Sequence, residues 1–314
     1  MADEELVSIL TPVYNGEQFL EECIQSVLRQ THSNWEYIIA DNMSTDRTPE
    51  IAQRYASQDA RIRLIRGPDF LDVYGSHNRA LAHMNKRARY CKVLHADDWL
   101  YPHCLTSMVD VMQAHPSVGV VSSFRLVGNR VEHESPVAYP RVVMSGKNFI
   151  RSELLGEGFA TGSPSSVLLR ADLVRGCRSF YDPTVWHGDT DAVYRVLLES
   201  DFAFIHQVLT FTRMHPGAQT PFSFRVYSFI TRDGRLLQRY GPYIMDSAAY
   251  RRHMRQWLGR YGRWLVRERL KSIGKPRPDF DKFHREEIGY ILAESGGDPL
   301  VNLALSLYRA TLLG

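Results

Sequence analysis

The chain has 314 residues, of which 44% are hydrophobic and 23% charged, and its formal net charge of +3 at pH 7 is ordinary for a soluble globular protein. Its four cysteines are scattered without CxxC spacing, which argues against a zinc site or a disulfide framework and favours the reducing cytosol. No run of about 18 uninterrupted apolar residues occurs, and the acidic start lacks the features of a secretory signal, so the sequence predicts a cytoplasmic protein without a membrane span.

The first hundred residues alternate short β-rich runs with amphipathic helical segments. The predicted strands are Leu6 to Leu10, Trp35 to Ala40, Ile62 to Ile65 and Cys91 to Leu94. The predicted helices are Phe19 to Leu28, a segment through Ile51 and Tyr55, and Ser76 to Ala88, with Thr11 to Gly16 as the first loop. This alternation predicts right-handed βαβ crossovers and a mostly parallel sheet flanked by helices, that is, an α/β fold.

The stretch Cys91 to Trp99 stands out, because an apolar run ends in two adjacent carboxylates, Asp97 and Asp98. A helix-start signal follows near Pro102, so the acids are expected at the rim of the sheet, where open α/β sheets place their chemistry. Adjacent carboxylates repel one another unless a cation or donor network offsets them, which favours a divalent metal. A solvated loop with a helix-capping Asp explains the same pattern equally well.

The pattern continues with a helix to about Ala114 and strands from Val118 to Val131. Gly158 to Pro164 is either a backbone-lined pocket wall or a plain turn, and Ser166 to Arg170 is a further strand. Asp189 and Asp191 then open a helix, where capping and catalytic roles are both open. The next predicted strand runs from Phe202 to Met214.

From Pro221 the chain becomes helical, basic and aromatic. Residues 221–280 contain fourteen Lys and Arg against four acids, a balance of about +10, whereas the whole chain carries only +3. This asymmetry predicts a distinct C-terminal unit with an anionic partner. Gly274 to Pro278 indicates a break between its helices.

Five segments together resemble the family 2 glycosyltransferases, the inverting, nucleotide-sugar-dependent enzymes of the GT-A fold. They occur in the family's order between about residues 6 and 217. The segments are Val7 to Gly16, Asp41 to Asp46, His95 to Asp98, Gly188 to Asp191, and Arg213 to His215. In this order, the segments resemble five motifs of the family. These are the first strand and loop, the Asp-Asp-Gly-Ser-Thr-Asp loop, the Asp-x-Asp-Asp metal motif, the later Glu-Asp element and the Arg-x-His element.

The resemblance implies a GT-A domain over residues 1–220, with a nucleotide-binding half at about 1–100 and an acceptor half at about 101–220. Residues 221–314 would form a basic, aromatic helical extension. The resemblance also implies a nucleotide pocket. The residues assigned to it are Thr11, Pro12, Tyr14, Asp41, Asn78 and Ala96.

In the same family pattern, Asp97 would bind Mn²⁺ or Mg²⁺, with His215 approaching the diphosphate or the metal. Asp98 would complete or orient the site, and His95, which replaces an acid of the family motif, would ligate the ion or touch the sugar. Asp189 is the predicted catalytic base and Asp191 the competing candidate.

The leading hypothesis is therefore a metal-dependent hexosyl- or N-acetylhexosaminyltransferase of polysaccharide biosynthesis. It would use a nucleotide sugar, expected to be UDP-linked, and a glycan or lipid-linked sugar acceptor. A non-catalytic nucleotide-sugar or glycan-binding module is the alternative, favoured by His95 and by Gly188 in place of Glu. A nucleotidyltransferase is disfavoured because Thr11 to Gly16 has neither Lys nor Arg, and no nucleic-acid-binding module is recognisable.

The C-terminal segment 221–280 has two interpretations. It could contact an anionic membrane surface at the inner face of the membrane, burying Trp257 and Trp264 at the interface. It could equally be an amphipathic helical cap with a solvated basic face.

Overall fold

A computed structural model of the chain describes residues 5–132, 135–158, 160–215, 217, 220–272 and 276–294. The chain divides into two compact units, Met1–Met214 and His215–Gly314. The first unit contains the β-sheet, and the second is built from α-helices. Residues 295–314 of the predicted C-terminal region, and Gly274 and Lys275 of the predicted helix break, lie outside the described residues.

The described residues contain ten strands. They are β1 (Val7–Val13), β2 (Trp35–Asp41), β3 (Ile62–Arg66), β4 (Tyr90–Val93), β5 (Trp99–Leu100), β6 (Val118–Val127), β7 (Arg130–Glu132), β8 (Val143–Ser145), β9 (Leu168–Arg170) and β10 (Asp201–Thr212). A short 3-10 helix, Pro164–Ser166, precedes β9.

Seven of the α-helices belong to the first unit. They are α1 (Leu20–Leu28), α2 (Thr48–Gln58), α3 (Val73–Ala82), α4 (Cys104–Ala114), α5 (Gly146–Leu154), α6 (Ala171–Arg175) and α7 (Gly188–Leu197). The described part of the second unit contains four more. They are α8 (Thr220–Val226), α9 (Ser228–Ile244), α10 (Ser247–Lys271) and α11 (Pro278–Glu294).

The strands form one sheet in the order β3-β2-β1-β4-β9-β6-β10-β5, with β7 beside β6 and β8 beside β10. The pairings β3–β2, β2–β1, β1–β4 and β6–β10 are parallel, and the short strands β5, β7, β8 and β9 pair antiparallel. The predicted α/β fold with a mostly parallel central sheet is confirmed. Because β1, β2 and β4 run in the same direction, the loops that follow them open at one edge.

The central strands are buried, as their nearly unbroken apolar sequences predict. Every residue of β1 and β4 is buried, and α1 packs its Leu20, Cys23, Ile24 and Val27 face into the same core. The first unit therefore holds the loops at the edge of the sheet on a rigid base.

Several predicted boundaries differ from the structure, and for three of them the physical reason is clear. Strand β1 continues through Pro12 to Val13, which is possible because β4 pairs only with Val7 to Leu10, so Pro12 lies beyond the ladder on that side. Helix α3 begins at Val73 instead of Ser76, because the Asp72 carboxylate accepts a hydrogen bond from Gly75 N and caps the helix. The predicted strand to Val131 is two strands separated by a turn at Gly128, whose φ is +57°.

The helical unit has an aromatic core. Trp257 is 5% exposed, and its indole N–H donates to Ile230 O at 3.2 Å. Its ring packs so closely on Gly234 that a Cβ at that position would lie only 2.1 Å from the ring. The prediction that Trp257 inserts into a membrane interface is therefore wrong, because this side chain belongs to the core of its own unit. Trp264 lies against Phe280 and His284. None of the described helices is both long and apolar enough to span a bilayer.

Candidate functional site

The predicted site residues at the ends of β1 and β2 and in the loops after β1 and β4 lie at the same edge of the sheet. Val13 is opposite Asp41 in the parallel register of β1 and β2, and Leu10 is opposite Val93 in that of β1 and β4. The loops that carry Tyr14 and His95 therefore leave neighbouring strands at the same edge. The sheet topology brings together segments that are about eighty residues apart in the sequence.

Thr11 is fully buried and connects β1 to Leu94, after which His95 to Asp98 form a segment that we call the acidic loop. Its hydroxyl donates to Leu94 O at 2.7 Å and lies 2.9 Å from the Tyr37 hydroxyl. Pro12 is also buried. These two residues shape the floor of the site through the backbone and through packing.

Tyr14 is half exposed and lies beside Phe70, which is 60% exposed. Their ring centroids are 4.9 Å apart and their planes meet at 70°. Two adjacent exposed aromatic rings at the end of a buried strand offer an apolar surface to a planar ligand. Phe70 was not among the sequence-predicted residues, because it lies in an irregular segment without periodicity.

Asp41 ends β2 and is 1% exposed. One carboxylate oxygen accepts from Arg66 Nε at 3.1 Å, and the other accepts from Ser44 N at 3.2 Å. Each carboxylate oxygen has two acceptor positions, so Asp41 keeps capacity for a further donor. Arg66 fixes the carboxylate in place at the end of β3.

The two other predicted nucleotide residues differ in environment. Asn78 on α3 donates its amide hydrogens to Ser179 Oγ and Tyr181 O, and its Oδ1 accepts from Tyr181 N. Both of its amide hydrogens therefore anchor the segment that precedes α7. Ala96 lies in the acidic loop, 3.5 Å from where a Cβ on Gly16 would be.

His95, Asp97 and Asp98 form a compact cluster after β4. One ligand atom from each lies within 4.8 Å of the others. Asp98 is 2% exposed, and its Oδ1 accepts from Arg213 N at 3.0 Å. Its Oδ2 is buried and makes no hydrogen bond within the described residues. Burial raises the pKa of the Asp98 carboxyl above its usual range, although His95 opposes the effect.

This donor set fits a divalent cation. Carboxylate oxygens suit Mg²⁺ and Mn²⁺, and an imidazole nitrogen is tolerated by Mn²⁺. A buried carboxylate oxygen without a donor is unfavourable by itself, and a cation at this position would remove the penalty. The residues present therefore agree with the predicted metal assignment of Asp97 and with the predicted participation of His95 and Asp98.

Arg213 holds the acidic loop from the end of β10. Its Nε donates to Asp97 O at 3.1 Å, and its guanidinium pairs with Glu22 and lies 4.5 Å from the Phe19 ring centroid. It thereby fixes the backbone of the candidate ligands. His215, the other predicted metal residue, belongs to the second unit, and its assignment stays a prediction.

His77 on α3 also contacts the cluster, and no sequence motif pointed to it. Its Nε2 lies 3.1 Å from His95 Nε2, and its Nδ1 lies 2.7 Å from Val73 O. Burial, with a smaller contribution from His95, lowers the pKa of His77 to about 3. His77 is therefore neutral at physiological pH. Only its helical position one turn after Val73, facing the acidic loop, could have signalled it.

Asp189 and Asp191 lie in the first turn of α7 but have different surroundings. Asp189 is partly exposed and lines a small recess with Thr161, Ser163 and Tyr181. Asp191 is fully buried, and its Oδ2 lies 3.3 Å from Arg195 Nε. Asp189 is therefore accessible to a ligand, whereas Asp191 is enclosed.

Helix α3 links this recess to the acidic cluster. The Tyr74 hydroxyl accepts from Gly188 N at 2.7 Å, and His77, three residues further along the same helix, reaches His95. A Cβ on Gly188 would lie 3.1 Å from Tyr74 Cζ and 3.2 Å from Asp182 O. The Glu that the family resemblance leads one to expect at this position would therefore be in tight contact with Tyr74 and Asp182, which would have to shift slightly.

The comparisons with known proteins agree with this geometry. The sequence model described as Glycosyl transferase family 2 matches residues 8–176, more than half of the chain. Among curated relatives, the UDP-Glc:alpha-D-GlcNAc-diphosphoundecaprenol beta-1,3-glucosyltransferase WfgD of Escherichia coli is 29% identical over 127 residues, which cover 40% of this chain and 49% of WfgD. The matched segments cover 16% to 36% of the length of three further curated relatives.

Among the solved structures that resemble nearly the whole chain are the following two. S. aureus TarS 1–349 in complex with UDP-GlcNAc gives a TM-score of 0.66 at 16% identity, covering 96% of this chain and 87% of TarS 1–349. The mannosyltransferase PcManGT of Pyrobaculum calidifontis, in complex with GDP-Man and Mn²⁺, gives 0.55 at 13% identity, covering 98% and 80%. Such low identities establish the fold alone. With the match of the family model, they show that the chain belongs to glycosyl transferase family 2 and has the GT-A fold.

Proposed function

We propose that the first unit transfers a hexose or N-acetylhexosamine from a UDP-sugar to a hydroxyl group of a glycan or lipid-linked sugar, with inversion at the anomeric carbon. The main observation that supports this proposal is the cluster of His95, Asp97 and Asp98. It lies at the same edge of the sheet as Tyr14 and Asp41. This edge offers acceptors for a base and oxygen ligands for a cation, and the first turn of α7 presents an accessible carboxylate at Asp189.

The donor nucleotide would occupy the ends of β1 and β2. Tyr14 and Phe70 would contact the face of the base, and Asp41 would accept a hydrogen bond from a base N–H. Because Asp41 is buried, a base without a matching donor would leave its charge incompletely paired, so this carboxylate discriminates between bases. The UDP-GlcNAc bound to TarS and the UDP-Glc in the name of WfgD support a uridine donor.

The diphosphate would bind next to the acidic cluster. Asp97, Asp98 and His95 would hold Mn²⁺ or Mg²⁺, and the Mn²⁺ in the structure of PcManGT supports this assignment. When bound, the cation supplies Lewis-acid neutralisation of the charge on the departing nucleoside diphosphate. Arg213 keeps the loop in place by binding Asp97 O and Asp98 Oδ1.

Asp189 would act as the general base. As the acceptor oxygen attacks the anomeric carbon, its proton passes to a carboxylate oxygen of Asp189, and the bond to the diphosphate breaks on the opposite face. The hydrogen bond from Gly188 N to the Tyr74 hydroxyl fixes the start of α7 and hence the position of Asp189. Asp191 is enclosed beside Arg195, which makes it the weaker candidate.

Calorimetric titration tests the nucleotide assignment. UDP should bind more tightly than GDP, ADP and CDP, and binding should strengthen when Mn²⁺ is present. NMR spectroscopy of the product should show the anomeric configuration opposite to that of the donor. Absence of binding to every nucleotide would refute the proposal. Binding without transfer or hydrolysis would instead favour a non-catalytic binding module.

The acceptor side of the proposal includes contact with an anionic lipid surface through α10. Six arginines are exposed along this 25-residue helix, and we call their surface the basic face. They are Arg251, Arg252, Arg255, Arg260, Arg263 and Arg267. The only acid on α10, Glu268, is 6% exposed and accepts a hydrogen bond from Lys271. Two apolar residues of the same helix are also exposed, Val266 by 49% and Leu270 by 63%. Each basic residue near an anionic membrane contributes about 1 kcal/mol, and the lipid-linked substrate in the name of WfgD supports a membrane location.

Vesicle sedimentation tests this contact. The full chain should bind phosphatidylglycerol-containing vesicles and not phosphatidylcholine vesicles, and salt should weaken binding. The triple variant R260E/R263E/R267E should lose the binding. The control K86E/R87E/R89E makes the same charge change at exposed residues of the first unit and should retain it. Equal loss in both variants would show that net charge, and not the basic face, determines binding.

A further inference from the structure

The hydrogen bonds of His77 determine which of its ring nitrogens carries hydrogen. His77 Nδ1 lies 2.7 Å from Val73 O, and a carbonyl oxygen can only accept. Nδ1 therefore carries the hydrogen. The His77 ring lies against the Tyr181 ring at a centroid distance of 5.3 Å, and its Nε2 is the atom that faces His95. In the neutral imidazole, this Nε2 consequently has a free lone pair.

The same argument extends to His95. The two Nε2 atoms lie 3.1 Å apart, and the rings meet edge to face at 84°. Since His77 Nε2 accepts, His95 Nε2 must donate and must carry hydrogen. In the neutral imidazole of His95, the other nitrogen, Nδ1, therefore carries no hydrogen and has a free lone pair.

His95 Nδ1 points towards the acidic cluster. It lies 3.9 Å from Asp98 Oδ2, the buried oxygen that makes no hydrogen bond within the described residues. Two atoms that bind the same cation, each about 2.1 Å from it, can lie about this far apart. The separation of His95 Nδ1 and Asp98 Oδ2 is therefore compatible with a shared cation. The opposite tautomer would direct an N–H at the cation and would exclude His95 from the ligand set.

We propose that His77 is a positioning residue: by accepting from His95 Nε2–H, it fixes the tautomer in which His95 Nδ1 serves as a ligand of the divalent cation. The chain Val73 O, His77, His95, cation would then supply the orienting contact that metal-binding histidines usually obtain from a carboxylate or carbonyl. This inference rests on the proposed metal site and adds a function for a residue outside its motif.

Two variants of His77 separate the role of the acceptor from that of packing. His77→Gln places an amide oxygen near the position of Nε2, whereas His77→Met has nearly the same volume and no comparable acceptor. Both lose the bond to Val73 O, so the pair is matched. Calorimetric titration of the full chain with MnCl₂ should show Mn²⁺ affinity close to wild type for His77→Gln. The affinity of His77→Met should fall about 10- to 100-fold.

A second measurement does not depend on turnover. Long-range ¹H–¹⁵N NMR correlation of the metal-free wild-type protein should show His95 as the Nε2–H tautomer and His77 as the Nδ1–H tautomer. In His77→Met, His95 should become a mixture of tautomers, while circular dichroism reports whether the fold is retained.

The outcomes distinguish the inference from the proposed function. Wild-type protein that binds no Mn²⁺ would refute the metal site, and the inference with it. Mn²⁺ binding by wild type together with unchanged affinity in folded His77→Met would overturn the inference alone. An Nδ1–H tautomer of His95 in the wild-type protein would also overturn it, whatever the affinities are.

Discussion

The two units satisfy their buried polar groups to different extents. In the helical unit, both carboxylate oxygens of Glu287 accept from Arg235, at 2.7 and 2.9 Å, and the guanidinium stacks on Tyr290 at 3.4 Å. His284 uses both ring nitrogens, with Tyr261 Oη and Val226 O each at 2.8 Å. Gln238 is an exception, since neither polar atom of its side-chain amide finds a partner within the described residues.

The sheet edge of the first unit contains the same residue types with incomplete pairing. Asp98 is as buried as Glu287, but its Oδ2 makes no hydrogen bond within the part of the chain that the structure describes. His95 uses Nε2 for His77, while its Nδ1 lies 3.9 Å from Asp98 Oδ2. Complete pairing indicates a structural role, and incomplete pairing of neighbouring groups indicates a place for a ligand. The comparison can be tested group by group.

The largest expected effect is on catalysis, at Asp189. Asp189→Asn removes the proton acceptor but leaves the size of the side chain nearly unchanged. We expect the rate of sugar transfer to fall about 10²- to 10⁴-fold, with UDP affinity and melting temperature close to wild type. Donor turnover, UDP titration and thermal denaturation provide the three measurements.

Asp191→Asn is the matched control in the same helical turn. It breaks the buried pair with Arg195, so we expect the free energy of unfolding to fall by about 1–3 kcal/mol, with a smaller loss of turnover than in Asp189→Asn. The reverse result, with turnover lost only in Asp191→Asn, would transfer the role of base to Asp191.

Stability should respond in opposite directions at Asp98 and Glu287. Glu287→Gln leaves the largely buried Arg235 without its counterion and should lower the free energy of unfolding by about 3 kcal/mol. Asp98→Asn removes a buried charge whose Oδ2 makes no hydrogen bond within the described residues, while its amide oxygen can still accept from Arg213 N. It should raise stability by about 1 kcal/mol when EDTA is present.

Urea denaturation with and without Mn²⁺ measures both effects. In Mn²⁺ the gain in Asp98→Asn should disappear, because wild type then recovers stability by binding the cation. Destabilisation of Asp98→Asn in EDTA would mean that the carboxylate has a structural partner and that the distinction between the two regions fails at this residue.

A pH dependence should arise from His284. Burial lowers the pKa of His284 to about 4, below its value of 6.5 in an unfolded chain. The folded state therefore binds fewer protons than the unfolded state. The stabilising contribution of neutral His284 is fully present above pH 6.5 and is lost as the pH falls towards 4, by up to about 3 kcal/mol.

Urea denaturation across this pH range tests the effect. His284→Gln should be less stable than wild type at neutral pH, since it loses one of two hydrogen bonds, but its stability should fall less between pH 6.5 and 4. His115→Gln, at an exposed histidine, should follow the wild-type curve. An unchanged pH slope in His284→Gln would show that other groups determine the acid sensitivity.

The sequence predicted the sheet edge well, because its signal is local. Buried strands such as β4 consist mainly of apolar residues, with Lys92 as its one charged residue, and the two acids that follow β4 are adjacent in the chain. The sequence pattern by itself singled out Asp97 and Asp98 and left the role of Asp189 open, and the family resemblance added Asp41 and His95. The helix bounds were less accurate, since a single side chain, the Asp72 carboxylate, determines where α3 begins.

The contacts of His77, Phe70 and Arg66 could not be predicted from sequence. Each is a tertiary contact made across the sheet edge, and none is part of a periodic pattern or a spaced motif. Trp257 illustrates the same limit in the second unit. Its basic, aromatic surroundings suggested a membrane interface, but its burial depends on the close approach to Gly234, which lies on a different helix.

The smallest expected effect concerns the aromatic side chains, which also differ between the units. Trp257 is buried in its own unit, whereas Tyr14 and Phe70 expose half or more of their surface at the sheet edge. If these rings contact the base, Tyr14→Ala and Phe70→Ala should each weaken UDP binding by about 1 kcal/mol. Tyr14→Phe should bind UDP like wild type, because it keeps the ring.

Tyr139→Ala is the control for removal of an exposed ring, since Tyr139 is 79% exposed and is not among the proposed nucleotide contacts. It should leave UDP affinity unchanged. Equal UDP affinity in wild type, Tyr14→Ala and Phe70→Ala would mean that the exposed ring pair does not contact the base. Base recognition would then depend on Asp41, whose Asp41→Asn variant should bind UDP less selectively over CDP, because an amide presents donors as well as an acceptor.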